Sequence, residues 1–214
     1  MEIKPIDVTL LTRSRLEVII TRVISPLFFW VRFKISEQQL KELEEELTFR
    51  MARKSSYLHY WPDALKEEEI VSLKVNNFWR RGWIIKINRE QMMVKVCVGD
   101  YGLTFWRPMR DIYILEDQFR ALPWQSIACG LAYTAARDGR TVWDTKTIKL
   151  CQLLAGGHTG WINIIHPLQM GTALVKLTVK GTDFEGEYDL RETLIRLKHA
   201  EATTQITVDV FPAI

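Results

Sequence analysis

Residues 70–115 read IVSLKVNNFWRRGWIIKINREQMMVKVCVGDYGLTFWRPMRDIYIL. Apolar residues dominate IVSLKV, WRRGWIIKI, MMVKVCV, TFW and DIYIL, and short polar gaps separate these runs: NN at 76–77, NREQ at 88–91 and GDYG at 99–102. β-Branched and aromatic runs broken by tight turns are the pattern of strands joined as hairpins. Five short strands at this spacing predict a small, strongly bent barrel.

Outside this stretch the pattern changes. Upstream, Val18, Ile20, Arg22 and Ile24 start one strand, Phe28–Phe33 make a second, and Ser25-Pro26 marks the turn. Leu40, Leu43, Leu47 and Met51 then recur at helical spacing, and Ser36 with Gln39 fits a capping box. Lys41, Glu42, Glu44, Glu45 and Glu46 are read as the solvated face of this helix, where negative charge near the start suits the dipole. Residues 53–67 read as a polar connection. Downstream, Phe119–Pro123 reads as a helical turn, and Gln125–Ala132, Trp161–His166 and Ala173–Lys180 as strands. A helix is expected over Asp144–Leu154, capped by Asp144 and ended by Gly156-Gly157, with Ile148, Cys151 and Leu154 on one face. Another is expected over Tyr188–Ala200 with Leu190, Leu194 and Leu197 inward, followed by a last strand at Ile206–Phe211.

Two strands and one helix cannot close a core of their own, so the first block is expected to pack with the third, with the barrel inserted between them. The expected division is an arm over 1–15, the first part of a flanking subdomain with its connecting helix over 16–67, the barrel over 68–115, and the rest of the flanking subdomain over 116–214. The class is α+β, mainly β.

Composition narrows the function. The 214 residues are 47% hydrophobic and 26% charged, as in a globular chain with a real core. A net charge of +3 is too mild to argue by itself for nucleic acid or membrane binding. The apolar run over residues 16–33 holds Glu17, Arg22, Pro26 and Arg32, which rules out a spanning helix or a signal peptide and fits an intracellular protein. Cys97, Cys129 and Cys151 sit singly in apolar runs and read as buried free thiols rather than metal ligands. His59, His158, His166 and His199 are isolated, AGGHTG at 155–160 lacks the Lys-Ser/Thr of a phosphate loop, and Asp183, Glu185, Glu187 and Asp189 read as a polar loop. No catalytic residue, metal site or cofactor is expected.

Several stretches in order resemble the extended Tudor family, a Tudor barrel inserted in an OB-like fold of the staphylococcal-nuclease type. VISPLFFWVRF at 23–33 resembles its opening strand pair, SEQQLKELEEEL at 36–47 its long connecting helix, and WRRGWI at 79–84 its Trp-Tyr-Arg-Ala-x-Val stretch. VGDYGL at 98–103 resembles its Phe-Val-Asp-Tyr-Gly-Asn loop, and FRALPWQSIACGL at 119–131 its Phe-x-x-Leu-Pro-x-Gln-Ala-x-x-Cys-x-Leu stretch. DLRETLIRLKHAE at 189–201 resembles most the branch of Yb-like and Tudor–helicase proteins, although no helicase motif is present, so the chain could be one domain of a longer protein.

The resemblance implies a reader of peptides carrying symmetric dimethylarginine. Such peptides occur on the arms of PIWI-clade Argonautes in piRNA-mediated transposon silencing, in cytoplasmic, perinuclear germline granules. In that site aromatic faces hold the methylated cation and an Asn orients it. Here the site positions are Lys74, Trp79, Arg80, Val98, Tyr101 and Leu103. Trp79 takes the motif's Trp, Arg80 the second wall, Val98 the wall before the loop, Leu103 the Asn, and Lys74 the first wall; of the four walls only Tyr101 keeps an aromatic ring. Each wall contributes about 0.5–2 kcal/mol, so losing three of them removes most of the affinity. The expectation is an interaction module with a degenerate cage and no methylarginine specificity.

A one-residue shift, aligning Phe78 with the motif's Trp, would turn Arg81 and Trp83 inward, which strand alternation disfavours. Arg81, Trp83, Phe105, Trp106, Arg107 and Arg110 are a possible interface patch, since aromatics and arginines are enriched at binding hot spots. The partners implied are a PIWI-clade peptide, unmethylated included, another scaffold of the pathway, or a second copy. Two alternatives stay open: an OB-like domain that binds single-stranded RNA, and a residual dimethylarginine reader.

Overall fold

The computed structural model describes residues 2–181 and 186–206. The last strand expected at Ile206–Phe211 and the acidic Asp183 and Glu185 lie largely or wholly outside the described residues. In chain order the elements are β1 (Arg15–Ser25), β2 (Phe28–Phe33), α1 (Glu37–Lys54), β3 (Ile70–Val75), β4 (Phe78–Asn88), β5 (Met93–Val98), β6 (Leu103–Pro108), β7 (Ile112–Ile114), β8 (Ser126–Leu131) and β9 (Thr134–Ala135). There follow α2 (Thr145–Ala155), β10 (Thr159–Pro167), β11 (Ala173–Lys180), β12 (Glu187–Asp189), α3 (Leu190–Arg196) and β13 (Glu201–Ala202). They form two compact units: Ile35–Gln125 with the residues up to Pro5, and Ile6–Lys34 with Ser126 onward.

The second unit is built from both ends of the chain. Its strands run β10-β1-β2-β8-β11, and β11 pairs back onto β10, which closes a five-stranded barrel; β12 extends β11. Only β8 and β11 are parallel among these pairs. Val18, Ile20, Phe29, Val31, Ile127, Ile162, Val175 and Leu177 fill the interior, and α2 and α3 add Cys151, Ala155, Leu190 and Leu194 to the same core. Asp144 caps α2 by accepting a hydrogen bond from Thr147 N at 2.9 Å, as its position before the apolar stripe predicts. Leu197, expected inward, is 48% exposed, because α3 ends at Arg196 and Lys198 takes a positive φ of 60°. Tyr188 lies in β12, not in a helix, and Asp189 caps α3 instead.

The first unit holds an antiparallel sheet in the order β6-β5-β4-β3-β7. The long β4 is shared: Phe78–Trp83 pair with β3, Trp83–Asn88 with β5, and a bulge between Ile84 and Lys86 bends it. Its two halves therefore face different neighbours, and the sheet curls around Leu73, Val75, Ile84, Val94, Val96, Val98 and Ile112. Asn76 and Asn77 both take positive φ, 48° and 69°, the conformation of a two-residue hairpin turn.

Helix α1 belongs to this unit and not to the flanking subdomain with which the sequence groups it. Leu47 and Met51 are buried with Trp79, Leu115 and Phe119. The expected capping box is absent: Ser36, at φ −105° and ψ 11°, makes no side-chain cap hydrogen bond. Residues 55–57 and 62–64 are short 3-10 turns within the connection. Among the described residues, no helix is long and apolar enough to cross a membrane.

Candidate functional site

Val98 closes β5 and Leu103 opens β6, and the two are paired across the turn. Tyr101 N donates to Val98 O at 3.0 Å, and Gly102 takes the positive φ of 65° that the turn requires. Gly99 has a separate reason to be glycine. A Cβ there would lie 2.3 Å from Trp124 Cε3 and 2.5 Å from the Trp83 ring. These two indoles meet at 5.1 Å between ring centroids.

The back of the loop is pinned by a buried ion pair. Asp100 and Arg81 are 1% and 0% exposed. Arg81 donates to Asp100 from Nε at 3.0 Å and from Nη2 at 2.7 Å, and to the carbonyls of Phe119, Leu122 and Pro123 at 2.9, 2.7 and 3.2 Å. Asp100 also accepts from Gln125 N at 3.0 Å. A buried charge survives only when paired and hydrogen-bonded, and both conditions hold here. Arg81 thus staples the loop to residues 119–125 and is not part of a surface patch.

The front of the loop carries Tyr101. The Arg80 guanidinium carbon lies 3.9 Å from the centroid of the Tyr101 ring, and Arg80 Nε lies 3.4 Å from Glu44 Oε1 on α1. The two charged side chains are only 14% and 13% exposed. The π face that would hold a ligand cation is therefore covered by the chain's own guanidinium, which is itself neutralised by a carboxylate. Sequence reading makes Arg80 a lost aromatic wall and Glu44 a solvated residue, and neither describes this arrangement. The available signal was spacing: Leu40, Glu44, Leu47 and Met51 follow one helix stripe, and a lone carboxylate on a buried stripe needs a partner.

The other expected site residues are spread by strand alternation. Gly82 and Ile84 face the interior, as the favoured alignment predicts; a Cβ on Gly82 would meet Val96 and Leu73 side chains. Val98 is fully buried in that core, while Leu103 and Phe105 pack partly against it. Lys74 pairs with Trp79 and so shares its face, whereas Arg80 pairs with Leu73 on the opposite face. Lys74 is exposed and stands apart from Tyr101, and Trp79 is a 9%-exposed core residue that meets Tyr113 edge-on at 4.8 Å. The structure thus brings together Arg80, Val98, Tyr101 and Leu103, and excludes Lys74 and Trp79.

The possible interface patch disperses. Arg81 is buried and Trp83 packs on Trp124. Arg107 lies 4.6 Å over the Phe105 ring on the inward face of β6, Trp106 points outward on the other face, and Arg110 is exposed in the turn Met109–Asp111. Burial pushes the Cys151 thiol up to about 12 and the Cys129 thiol higher still, so neither supplies a thiolate.

Among curated proteins, none matches the sequence. Solved structures do match. The third extended Tudor domain of mouse TDRD1, in complex with a MILI peptide containing dimethylarginine, superposes with a TM-score of 0.80 at 19% identity, over 94% of this chain and 99% of that one. The human TDRD1 extended Tudor domain with a symmetrically dimethylated E2F peptide gives 0.77 at 18% identity, over 88% and 90%. A variant of the Drosophila melanogaster Papi extended Tudor domain, in complex with a Piwi N-terminal R10-unme peptide, gives 0.75 at 20% identity, over 88% and 99%. The solved extended Tudor domains share this chain's fold, and the Tudor domain family model matches residues 11–133, more than half of the sequence: the chain belongs to the Tudor domain family.

Proposed function

We propose that this chain is a non-catalytic protein-interaction module whose Tudor site does not read dimethylarginine. One observation carries the reading: the Arg80 guanidinium lies over Tyr101 at 3.9 Å and is ion-paired to Glu44. An incoming methylated arginine would have to displace a cation that is already held on two sides. It would then meet Val98 and Leu103 where a second ring and an orienting oxygen are needed. Three lost walls at about 0.5–2 kcal/mol each leave little specific affinity.

The relatives of known structure bind MILI, Piwi and E2F peptides, which supports a peptide partner. We infer a scaffold in piRNA-mediated silencing, acting in cytoplasmic germline granules on an unmethylated PIWI-clade segment, another scaffold of the pathway or a second copy. Calorimetric titration with a symmetrically dimethylated PIWI-arm peptide and its unmethylated twin should show no gain from methylation. Micromolar binding that needs both the methyl groups and Tyr101 would overturn the proposal. A pull-down from germline extract should lose its partner on Tyr101→Ala or Arg80→Glu; an unchanged set of bound proteins would move the interface away from this loop.

A further inference from the structure

At the other end of β5 and β6 from the Asp100 loop, Lys86 pairs with Lys95, and Lys95 with Trp106. Directly opposed residues point to the same side of a sheet, so the three form a row across β4, β5 and β6. Their side is the outward one, because the next pair, Val94 and Arg107, faces the core. Two opposed lysines repel, an arrangement that disfavours the folded sheet and is relieved by an anion. Trp106 is 43% exposed beside them. An open cavity of about 720 Å³ borders the row and is lined by Lys66, Lys86, Arg89 and Trp106, with Glu67 and Glu90 as its acids. Glu67 is already engaged, since its Oε1 accepts from Ile87 N at 3.1 Å.

We propose that this face binds a short stretch of single-stranded nucleic acid. One base stacks on the Trp106 indole while flanking phosphates contact Lys66, Lys86 and Lys95. An acidic peptide would use the lysines but gives no reason for an exposed indole among them. A single strand uses both, because its bases offer π faces that a duplex hides. Two inter-strand spacings give the row a span of about 10 Å, enough for only two or three nucleotides, so binding is weak and tolerant of sequence. The site shares no residue with the Arg80–Tyr101 pair, and it stands whether or not the peptide reading holds.

The test is fluorescence anisotropy of the whole chain with a labelled single-stranded RNA, a DNA strand of the same length and a Glu-rich peptide of matched charge. Trp106→Ala should weaken oligonucleotide binding about tenfold, and Trp106→Phe should restore most of it. Lys86→Gln with Lys95→Gln should flatten the slope of log affinity against log salt by about 1.4, two phosphates at about 0.7 each. Lys146→Gln with Lys149→Gln, two exposed lysines elsewhere, is the charge-matched control that leaves binding unchanged. Thermal melts should show no variant less stable than the wild type, and the double lysine variant should melt slightly higher because the opposed charges are gone. Binding indifferent to Trp106→Ala, or a Glu-rich peptide that binds as tightly as the oligonucleotides, would overturn the proposal.

Discussion

At the scale of single residues, two adjacent arginines on β4 have opposite fates. Alternation sends Arg80 to the Tyr101 side and Arg81 into the unit behind the loop. Cutting one partner from a buried ion pair leaves an uncompensated charge, which costs about 3–5 kcal/mol. Arg81→Met and Asp100→Leu should each lower stability by that order in urea denaturation. The double variant should recover only part, because the carbonyls of Phe119, Leu122 and Pro123 lose their donor whenever Arg81 is replaced. Full recovery would mean that the pair, and not the carbonyl contacts, accounts for the whole effect. Sequence reading recognised the loop and its tyrosine because local turn residues specify both. It missed Glu44 and Trp124 because each reaches the loop from a separate segment, and no local pattern records such a meeting.

At the scale of elements, α1 is fixed to its unit by more than its apolar stripe. Arg50 donates to both Glu116 oxygens at 2.6 Å from the far side of the β-sheet sequence. The hydrogen bonds from Arg50 hold the Glu116 carboxyl below the ordinary glutamate value. A carboxylate whose folded pKa is depressed adds stability above its ordinary pKa, and that stability is lost as pH falls through the folded value. Glu116→Gln should therefore lower the Tm at neutral pH, and the gap to wild type should close in acid. A gap that persists at low pH would mean that the change acts through packing. Periodicity showed that this helix exists but not where it docks: 18 helical residues with one apolar stripe fit either neighbour equally well.

At the scale of the molecule, the inserted unit leaves and re-enters its host at one place. β2 ends at Phe33, β8 begins at Ser126, and Arg32 pairs with Ser126. Replacing residues 35–125 with a short Gly/Ser linker should therefore leave a chain that still closes the β10-β1-β2-β8-β11 barrel. Circular dichroism should show a cooperative melt, and a molten chain would mean that the host depends on its insert. The interrupted layout was legible in the sequence, since the first block lacks the strands to close a core. The closing β10–β11 contact was not, because period-two runs carry no record of which partner each strand takes.

The same adjacency sets an order of events during synthesis. Once Gln125 has emerged, the inserted unit has every strand it needs, whereas β1 and β2 still await β8, β10 and β11. The first hairpin made is among the last pieces to find its neighbours, and both its edges stay unpaired through that interval. Chains stalled on the ribosome before β8 has emerged leave both edges open to pairing with another nascent chain, and those stalled before β10 still leave the β1 edge open.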